Sequence, residues 1–200
     1  RTNALRSGEI ESMANLDPKI AGLMERDPAV RVLITTGNKH ATLPMHTNVA
    51  PFDDNDVRMA LKLAIDRRQA LETIAFGYGE IGNDHPIGPA NQFRATPEEL
   101  PQRAFDPDRA KFHLKQAGKE NLSVDLHLAD TAFEGAVDLG QLYAETAKAA
   151  GIDLNIVREP NDGYWSDVWL VKPWCASYWG GRPTEDWMFS QVYAAGAEWN

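Results

Sequence analysis

The chain has 200 residues, with 20 lysines and arginines against 29 aspartates and glutamates, so its formal net charge is −9 at pH 7. Its apolar fraction of 43% and charged fraction of 24% are ordinary globular values, which excludes disordered, collagen-like and coiled-coil chains. An acidic chain without a basic run repels phosphate backbones, so no nucleic-acid partner is expected.

The first half of the chain opens with a short predicted helix over residues 3–10. The β-branched and apolar run at 30–36 predicts a strand. Residues 43–49 predict a second extended stretch, in which Pro44 favours the edge of a sheet, because proline has no N–H for a central strand.

The clearest predicted helix spans residues 53–75, where apolar residues recur at helical spacing and charged residues mainly fall on the opposite side. Asp53 or Asp54 can cap its first turn, and Gly77 ends it. Residues 77–105 then read as a long loop. A connection of this length in a compact domain is usually functional or packed over another part of the protein.

The second half is typical of an α/β protein. A helix begins with Asp106 as its N-cap and ends at Gly118. Residues 122–158 predict a strand, a helix that ends at Gly151 and a second strand, which is a βαβ unit with parallel pairing. A further strand is predicted at 168–171. The fold class that follows is α/β.

The segment 164–200 is predicted to be extended and rich in aromatic residues. These residues are Tyr164, Trp165, Trp169, Trp174, Tyr178, Trp179 and Trp187. Tryptophan gathers at recognition surfaces. Gly180 and Gly181 would let a ligand approach the backbone, and Arg182 offers a planar fork for a carboxylate or phosphate. The alternative is structural: the tryptophans form core, and Arg182 pairs with Glu185 or Asp186.

No catalytic residues are predicted. The five histidines lack HExxH spacing, and nothing resembles GxSxG. Cys175 is the only cysteine, which excludes an internal disulfide and a cysteine-rich zinc site, and it lies in an apolar run where a thiol is usually inert. We therefore expect no metal site and no cofactor.

Several segments, in order, resemble the family 5 extracellular solute-binding proteins, the peptide and nickel receptors of bacterial ABC importers. Residues 48–67 are similar to the family's N-x-x-x-P-F-D-D-x-x-V-R-x-A-L-x-x-A-I-D-R signature. Residues 4–10 resemble its L-x-x-G-E-I-D element, with Glu11 in place of the usual Asp. Residues 105–118 resemble its Y-D-P-x-K-A-K-x-L-L-x-E-A-G element, with Phe in place of Tyr.

The resemblance implies a periplasmic-binding-protein-like lobe, of the class II or cluster C type, with a mainly parallel mixed sheet flanked by helices. Residues 1–200 would form a single α/β lobe, the second ligand-binding lobe, excised from a longer chain. Within it, 77–105 would be a long loop, 122–158 the βαβ unit and 164–200 the aromatic, ligand-facing segment.

The function implied by the resemblance is capture rather than catalysis, by two lobes that close on a hinge like a Venus flytrap. In peptide-binding members, a G-W-x-x-D segment places a tryptophan against the ligand and an aspartate on its α-amino group. Trp179 matches that tryptophan, whereas Arg182 stands where the aspartate would be. A cation there suits an anionic group of the ligand, and Asp186 could take over the amine role. Trp165 and Tyr164 complete the predicted ligand-binding set.

The implied ligand is a di- or oligopeptide, with a non-peptide anionic solute such as an opine as the alternative. The expected partners are the transmembrane subunits of an ABC permease, and the protein is expected to be a monomer. Its expected location is the periplasm, or the cell exterior as a lipoprotein in a Gram-positive bacterium. Two other classes stay open: a hydrolase or transferase with an aromatic cleft, and a chaperone-like docking module.

Overall fold

The computed structural model describes residues 1–35, 37–89 and 91–200. Within these ranges no helix has the length and apolar character needed to cross a bilayer. In chain order the elements are α1 (Thr2–Ser7), α2 (Pro18–Met24), β1 (His40–Thr42), α3 (Asn55–Ala64), α4 (Arg67–Thr73), α5 (Pro107–Gln116), β2 (Ser123–Leu128), α6 (Ala136–Lys148), β3 (Asp153–Arg158), α7 (Tyr164–Asp167), β4 (Ser177–Trp179), α8 (Glu185–Met188) and a π-helical turn (Phe189–Tyr193).

The predicted βαβ unit is present, because β2 and β3 pair in parallel over their full lengths and α6 connects them. Along β2, Val124, Leu126 and Leu128 are buried and alternate with more exposed residues, as a strand with one face on the core requires. Gly140 of α6 lies so close to Leu128 that a side chain on it would overlap that residue. The helix therefore packs directly on the sheet.

The sheet continues on the other side of β2 through the residues that precede β4. The His127 N–H donates to the Trp174 carbonyl at 3.1 Å, and the Ala176 N–H donates to the His127 carbonyl at 2.9 Å. β4 then pairs antiparallel with β1, with Thr42 opposite Ser177. The parallel pair β2–β3 and the antiparallel pair β1–β4 are thus linked by the isolated parallel bridge between His127 and Cys175. This confirms the predicted α/β class with a mainly parallel mixed sheet.

The predicted helix over 53–75 is wrong in one respect, because it consists of two helices, α3 and α4. Ile65 has extended backbone angles, and the Asp66 carboxylate accepts from the Gln69 N–H at 3.0 Å to cap α4. A short acidic side chain that bonds nearby backbone in this way competes with helix continuation. The predicted cap of the first helix is confirmed, and it is Asp54.

The last four carbonyl groups of α3, which have no partner within the helix, accept hydrogen bonds from elsewhere in the protein. The Tyr143 hydroxyl donates to the Leu61 carbonyl at 2.6 Å, and the Arg67 guanidinium donates to the Lys62 carbonyl at 2.9 Å. The Asp106 N–H donates to the Leu63 carbonyl at 2.9 Å, and the Thr146 hydroxyl donates to the Ala64 carbonyl at 2.8 Å. These bonds satisfy the end of α3, so the helix can stop inside the core.

Replacing Tyr143 with phenylalanine is expected to lower the free energy of unfolding by about 1–3 kcal/mol, because the Leu61 carbonyl loses its donor in a buried place. Burial raises the pKa of the Tyr143 hydroxyl, so it remains a donor at neutral pH. Urea titration of the full-length protein measures the effect. The matched control is Tyr178→Phe, at 39% exposure, for which a change within about 0.5 kcal/mol is expected. Equal losses of unfolding free energy in Tyr143→Phe and Tyr178→Phe would contradict the proposed role of the hydrogen bond between Tyr143 and the Leu61 carbonyl.

Two predicted strands are wrong. Residues 30–35 form no strand, and Leu33 and Ile34 are 69% and 64% exposed, while Thr36 lies outside the described residues. Residues 168–171 form hydrogen-bonded turns after α7 instead of a strand. Both runs are β-branched and apolar, but strand preference depends on packing against a neighbouring strand. Neither run has such a neighbour among the described residues.

The extended stretch predicted over 43–49 is only partly correct. The strand β1 lies just before it, and within it Met45 forms an isolated bridge to Trp174. The His46 N–H donates to the Pro173 carbonyl at 2.8 Å. Pro44 supplies no N–H, which limits the pairing at this edge of the sheet.

The predicted start and end of α5 and the predicted end of α6 are confirmed, whereas the helix predicted over 3–10 ends at Ser7 and the one predicted to end at Gly77 ends at Thr73. The Asp106 carboxylate caps α5 by accepting from the Arg109 N–H at 2.9 Å, and Gly118, with φ 64°, follows the end of that helix. Gly151, with φ 77°, does the same after α6. Positive φ is readily adopted by glycine, which explains why each helix stops there.

The predicted loop at 77–105 contains no helix or strand over 77–89 and 91–105, and Ala90 lies outside the described residues. The loop is nevertheless held in place. Asn83 is 8% exposed, and its amide donates to the Leu100 and Pro101 carbonyls at 3.1 Å each. The two ends of the loop are thus joined by one buried side chain.

A second contact ties the loop to the helices. The Asp84 carboxylate accepts both from Arg67 of α4, at 3.0 and 3.1 Å, and from Arg103. All three side chains are less than a quarter exposed. A bidentate arginine–carboxylate pair fixes orientation as well as distance. These contacts therefore hold the loop in place beside the carboxyl-terminal segment.

Candidate functional site

The aromatic segment at 164–200 divides into a buried part and an exposed part, and it is not extended throughout as predicted, because it contains α7, α8 and the π-helical turn. Tyr164 and Trp174 are each 1% exposed. Trp165, Tyr178 and Trp187 are 40%, 39% and 51% exposed. The buried rings thus fit the interpretation of the aromatic residues as core, and the exposed rings fit the interpretation of them as a recognition surface.

Tyr164, which the sequence places in the ligand-binding set, is a core residue. Its hydroxyl donates to the Ala176 carbonyl at 2.7 Å and lies 3.3 Å from the His127 carbonyl. Burial raises the pKa of this hydroxyl. The side chain joins α7 to the sheet, and its place on the exposed surface is taken by the next residue, Trp165.

The exposed and half-buried rings form a continuous surface, here called the aromatic ridge, consisting of Trp165, Trp169, Tyr178, Trp179 and Trp199. Ring centroids of neighbouring members are 4.6–6.0 Å apart, mostly edge to face. Such pairs prefer this geometry and stiffen one another. The Lys39 ammonium lies 4.9 Å from the centroid of the Tyr178 ring. The ridge is a preformed apolar platform.

Arg182 lies beside the ridge in a fixed orientation. Its Nε donates to the Gln191 side-chain oxygen at 2.7 Å, and its Nη1 donates to the Gly180 carbonyl at 2.9 Å. Its guanidinium carbon is 5.9 Å from the Trp179 ring centroid and 6.0 Å from that of Trp187. Cation–π contacts at this distance are attractive. The group is held in place without the use of a carboxylate.

The ion pair that the structural interpretation predicted for Arg182 is not observed, because neither Glu185 nor Asp186 forms a salt bridge with it in the described part of the chain. Two of the five guanidinium N–H groups are used, which leaves three for another acceptor. A half-buried, oriented and unneutralised guanidinium is chemically suited to a carboxylate or phosphate.

Arg182 opens into a shallow cleft of about 10 Å³, here called the Arg182 cleft. Its lining comes from two distant parts of the chain, the loop at 77–105 and the segment after β4. The lining residues are Asn38, Pro86, Ile87, Gly88, Asn91, Arg182, Thr184, Glu185 and Met188. Complete small-molecule sites usually measure roughly 300–1,000 Å³, so this cleft does not by itself enclose a small-molecule ligand.

The glycines of the candidate site have different roles. A side chain on Gly181 would overlap Asn38, and one on Gly88 would overlap the same residue from the other side. Both glycines thus allow the protein's own backbone to approach Asn38 closely. Gly180 has only the Arg182 guanidinium nearby, at 3.8 Å. Of the two glycines predicted to let a ligand approach the backbone, Gly180 is the one with open space next to it.

Three residues of the cleft were not predicted as contributors to a site: Asn38, Asn91 and Glu185. Glu185 lines the cleft, where its carboxylate accepts from the Asn91 amide at 3.0 Å. Asn38 has a buried Oδ1 without a hydrogen-bond partner among the described residues. Asp186, predicted to bind an amine, is exposed and does not line the cleft. No local spacing links positions 38, 91 and 185, so no sequence pattern could have found them.

The single cysteine is not placed as a nucleophile. Burial raises the pKa of the Cys175 thiol to about 11, so it is protonated and unreactive at neutral pH. Within 1–35, 37–89 and 91–200 there is no group of three or more histidine, cysteine, aspartate or glutamate side chains that could hold a metal ion. The arrangement is suited to binding through aromatic and charged contacts.

Comparison with known proteins gives a match over the whole chain: residues 1–200 match the family described as bacterial extracellular solute-binding proteins, family 5 middle. Heme-binding protein A of Haemophilus influenzae is 33% identical over 108 residues, which are 53% of this chain and 19% of that protein. Di/tripeptide-binding protein 1 of Pseudomonas aeruginosa is 25% identical over 118 residues, which are 59% of this chain and 21% of that protein.

Among solved structures, NikZ from Campylobacter jejuni in complex with Ni(L-His) superposes with a TM-score of 0.81 at 19% identity, covering 100% of this chain and 42% of NikZ. At this identity the likeness concerns the fold, and it confirms the predicted architecture. The chain spans about a fifth of the length of the two curated relatives.

Proposed function

Because the chain belongs to the bacterial extracellular solute-binding proteins of family 5, we propose that it forms one ligand-binding lobe of the substrate-binding component of an ABC importer. The proposed task is to capture a small solute, a di- or oligopeptide, in the periplasm and to deliver it to the transmembrane permease subunits. In this proposal residues 1–200 act as a single lobe, and the protein is a monomer.

The observation that carries the proposal is that Arg182 is held in a fixed orientation, without a neutralising carboxylate among the described residues, at the opening of its cleft. The guanidinium is oriented by Gln191, by the Gly180 carbonyl and by two indole rings, and it has no carboxylate partner among the described residues. Orienting a donor before binding lowers the entropic cost of recognition. An anionic group of a solute completes this arrangement.

With a volume of about 10 Å³ the cleft does not enclose a ligand by itself, which fits a clamp formed by two lobes. A half-site covers one side of its ligand and leaves the other side open. The aromatic ridge, with Trp165 and Trp179, would line the exposed side of the ligand until a second lobe closes over it. Hinge closure of two lobes around a ligand is a known mode of domain motion.

A peptide ligand is supported by two features. A peptide ends in a carboxylate, which matches the free N–H groups of Arg182, and its side chains can pack on the aromatic ridge. One curated relative carries the name di/tripeptide-binding protein. The same guanidinium also suits a non-peptide anionic solute such as an opine, which is the second candidate.

Native mass spectrometry of the freshly purified full-length protein is the experiment that tests this proposal. We expect a small molecule to remain bound, to be released on denaturation and to be identified as a peptide. Incubation of the released molecule with fresh protein should return it unchanged, because capture involves no chemistry. Consumption of the molecule would favour the hydrolase or transferase alternative, and failure to bind any of a panel of peptides would contradict the peptide ligand.

A further inference from the structure

A group of positive side chains, here called the basic cluster, lies along α3 and beyond its carboxyl-terminal end. The members come from α3, from α4 and from the end of the loop at 77–105. They are Arg58, Lys62, Arg67 and Arg103, and the carboxylate among them is Asp84. The cluster thus has an excess of positive charge in a chain whose formal net charge is −9. None of these residues lines the Arg182 cleft.

The Asp84 carboxylate is already used within the cluster. Both of its oxygens accept from the Arg67 guanidinium, and one of them accepts from Arg103 as well. Arg67 also donates to the Lys62 carbonyl at 2.9 Å. Among the described residues, Arg103 uses one of its five guanidinium N–H groups. The two arginines are therefore fixed in place, and Arg103 keeps donors for another acceptor.

Lys62 is the member of the cluster without a partner. Its side chain is half-buried, and its ammonium forms no hydrogen bond or ion pair within residues 1–35, 37–89 and 91–200. Burial lowers the pKa of Lys62, and the neighbouring Arg103 and Arg58 lower it further, whereas Asp84 acts in the opposite direction. A charge that leaves water costs free energy unless it is paired. An anion bound at this ammonium would remove that cost.

Arg58 adds a second uncompensated charge beside Lys62, four residues away on the same side of α3. Its guanidinium donates to the Phe52 and Asp53 carbonyls at 2.6 and 3.1 Å, and to the Asn55 side-chain oxygen at 3.2 Å. All three acceptors are neutral, so they orient the guanidinium without cancelling its charge. Like charges at this spacing on a helix repel and destabilise it. A bound anion would relieve the repulsion.

We propose that the basic cluster binds a phosphate group, with one phosphate oxygen on the Lys62 ammonium and another on the Arg103 guanidinium. The inference goes beyond the proposed function, because it concerns a second site. Lysine binds phosphate as a point charge and arginine as a planar fork. A phosphate offers more oxygens to separate donors than a carboxylate does. Two sources carry this group: free inorganic phosphate, and the headgroup of an anionic lipid, whose negative membrane surface repels the rest of this acidic chain.

Isothermal titration calorimetry of the full-length protein with potassium phosphate, at an ionic strength held constant with potassium chloride, tests the free ion. We expect acetate to bind about tenfold or more weakly than phosphate, because it has fewer oxygens for the donors. Co-flotation with vesicles of equal parts phosphatidylglycerol and phosphatidylcholine, compared with vesicles of phosphatidylcholine alone, tests the lipid. Binding to the phosphatidylglycerol vesicles alone assigns the site to a headgroup, and binding of inorganic phosphate without vesicle binding assigns it to the free ion.

Two variants locate the site. Lys62→Met keeps the length of the side chain and removes its charge, so binding should weaken about tenfold or more, and Arg103→Gln should weaken it to a similar extent. The matched control is Lys148→Met, an exposed lysine of α6, which should bind as the wild type does.

The phosphate site is overturned if the wild type binds neither inorganic phosphate nor the phosphatidylglycerol vesicles. It is also overturned if Lys62→Met keeps the wild-type affinity, or if acetate binds as tightly as phosphate. These results would leave solute capture untouched, because native mass spectrometry tests that proposal separately.

Discussion

Replacing Trp174 with alanine is expected to lower the free energy of unfolding by about 3–5 kcal/mol, the cost of removing a large buried aromatic side chain. The residue is 1% exposed, and its ring packs on Phe52 at 5.6 Å and on Tyr143 at 5.8 Å between centroids. It therefore joins α6, through Tyr143, and the segment that precedes α3, through Phe52, to the sheet. The cavity left by alanine cannot collapse without moving these neighbours.

The indole also makes a hydrogen bond that a hydrophobic replacement cannot. Its Nε1–H donates to the Leu43 carbonyl at 3.1 Å, next to the edge strand β1. Trp174→Phe should keep part of the packing and lose this bond, so a smaller loss is expected than with alanine. Part of that loss, about 1–3 kcal/mol, would come from the unpaired carbonyl.

Urea titration of the full-length variants, followed by circular dichroism, measures both effects. The matched control is Trp187→Ala, a tryptophan that is 51% exposed, for which a loss of at most about 1 kcal/mol is expected. If both alanine variants lose the same free energy, the division of the tryptophans into a core part and a surface part is wrong.

Local sequence signals predicted a large part of this fold. The βαβ unit followed from strand alternation, and the ends of α5 and α6 followed from Asp106, Gly118 and Gly151. These features depend on residues a few positions apart, so a local pattern contains the information. The break between α3 and α4 was missed because apolar spacing continues across it, although Asp66 is itself a capping residue type.

The predicted strands that failed show the limit of local preference. Residues 30–35 have strand-like composition, but a strand also needs a neighbour, and the described chain provides none at that place. The same limit applies to Tyr164 and Trp165, which are adjacent in sequence and similar in chemistry. One is buried and the other exposed because α7 turns one side chain toward the sheet and the other away.

The candidate site was predictable only in its carboxyl-terminal half. Trp179 matches the tryptophan of a recognisable motif, and Arg182 occupies the position of that motif's aspartate. Glu185 lines the cleft next to Asn91, which the loop at 77–105 places against it, 94 positions away in the sequence. The loop keeps that position through Asn83 and the Asp84 ion pairs. These contacts are tertiary, and no spacing within one segment encodes them.

Arg182→Ala is expected to weaken binding of the captured ligand by about 1.5–3 kcal/mol, the value of a hydrogen bond to a charged group, which is roughly a 10- to 150-fold rise in Kd. The guanidinium has no carboxylate partner among the described residues that would mask this loss. Arg182→Lys should fall between wild type and alanine, because lysine keeps the charge but lacks the planar fork.

Calorimetric titration of the full-length protein with its anionic ligand, at low and at moderate salt, measures the effect. The affinity of the wild type should fall as salt rises, and that of Arg182→Ala should depend less on salt, because screening weakens exposed charge pairs. The matched control is Arg158→Ala, a residue of β3 whose side chain is 74% exposed and remote from the cleft lining; its affinity should equal that of wild type. Arg182 binds no anionic group if its alanine variant retains both the affinity and the salt dependence of the wild type.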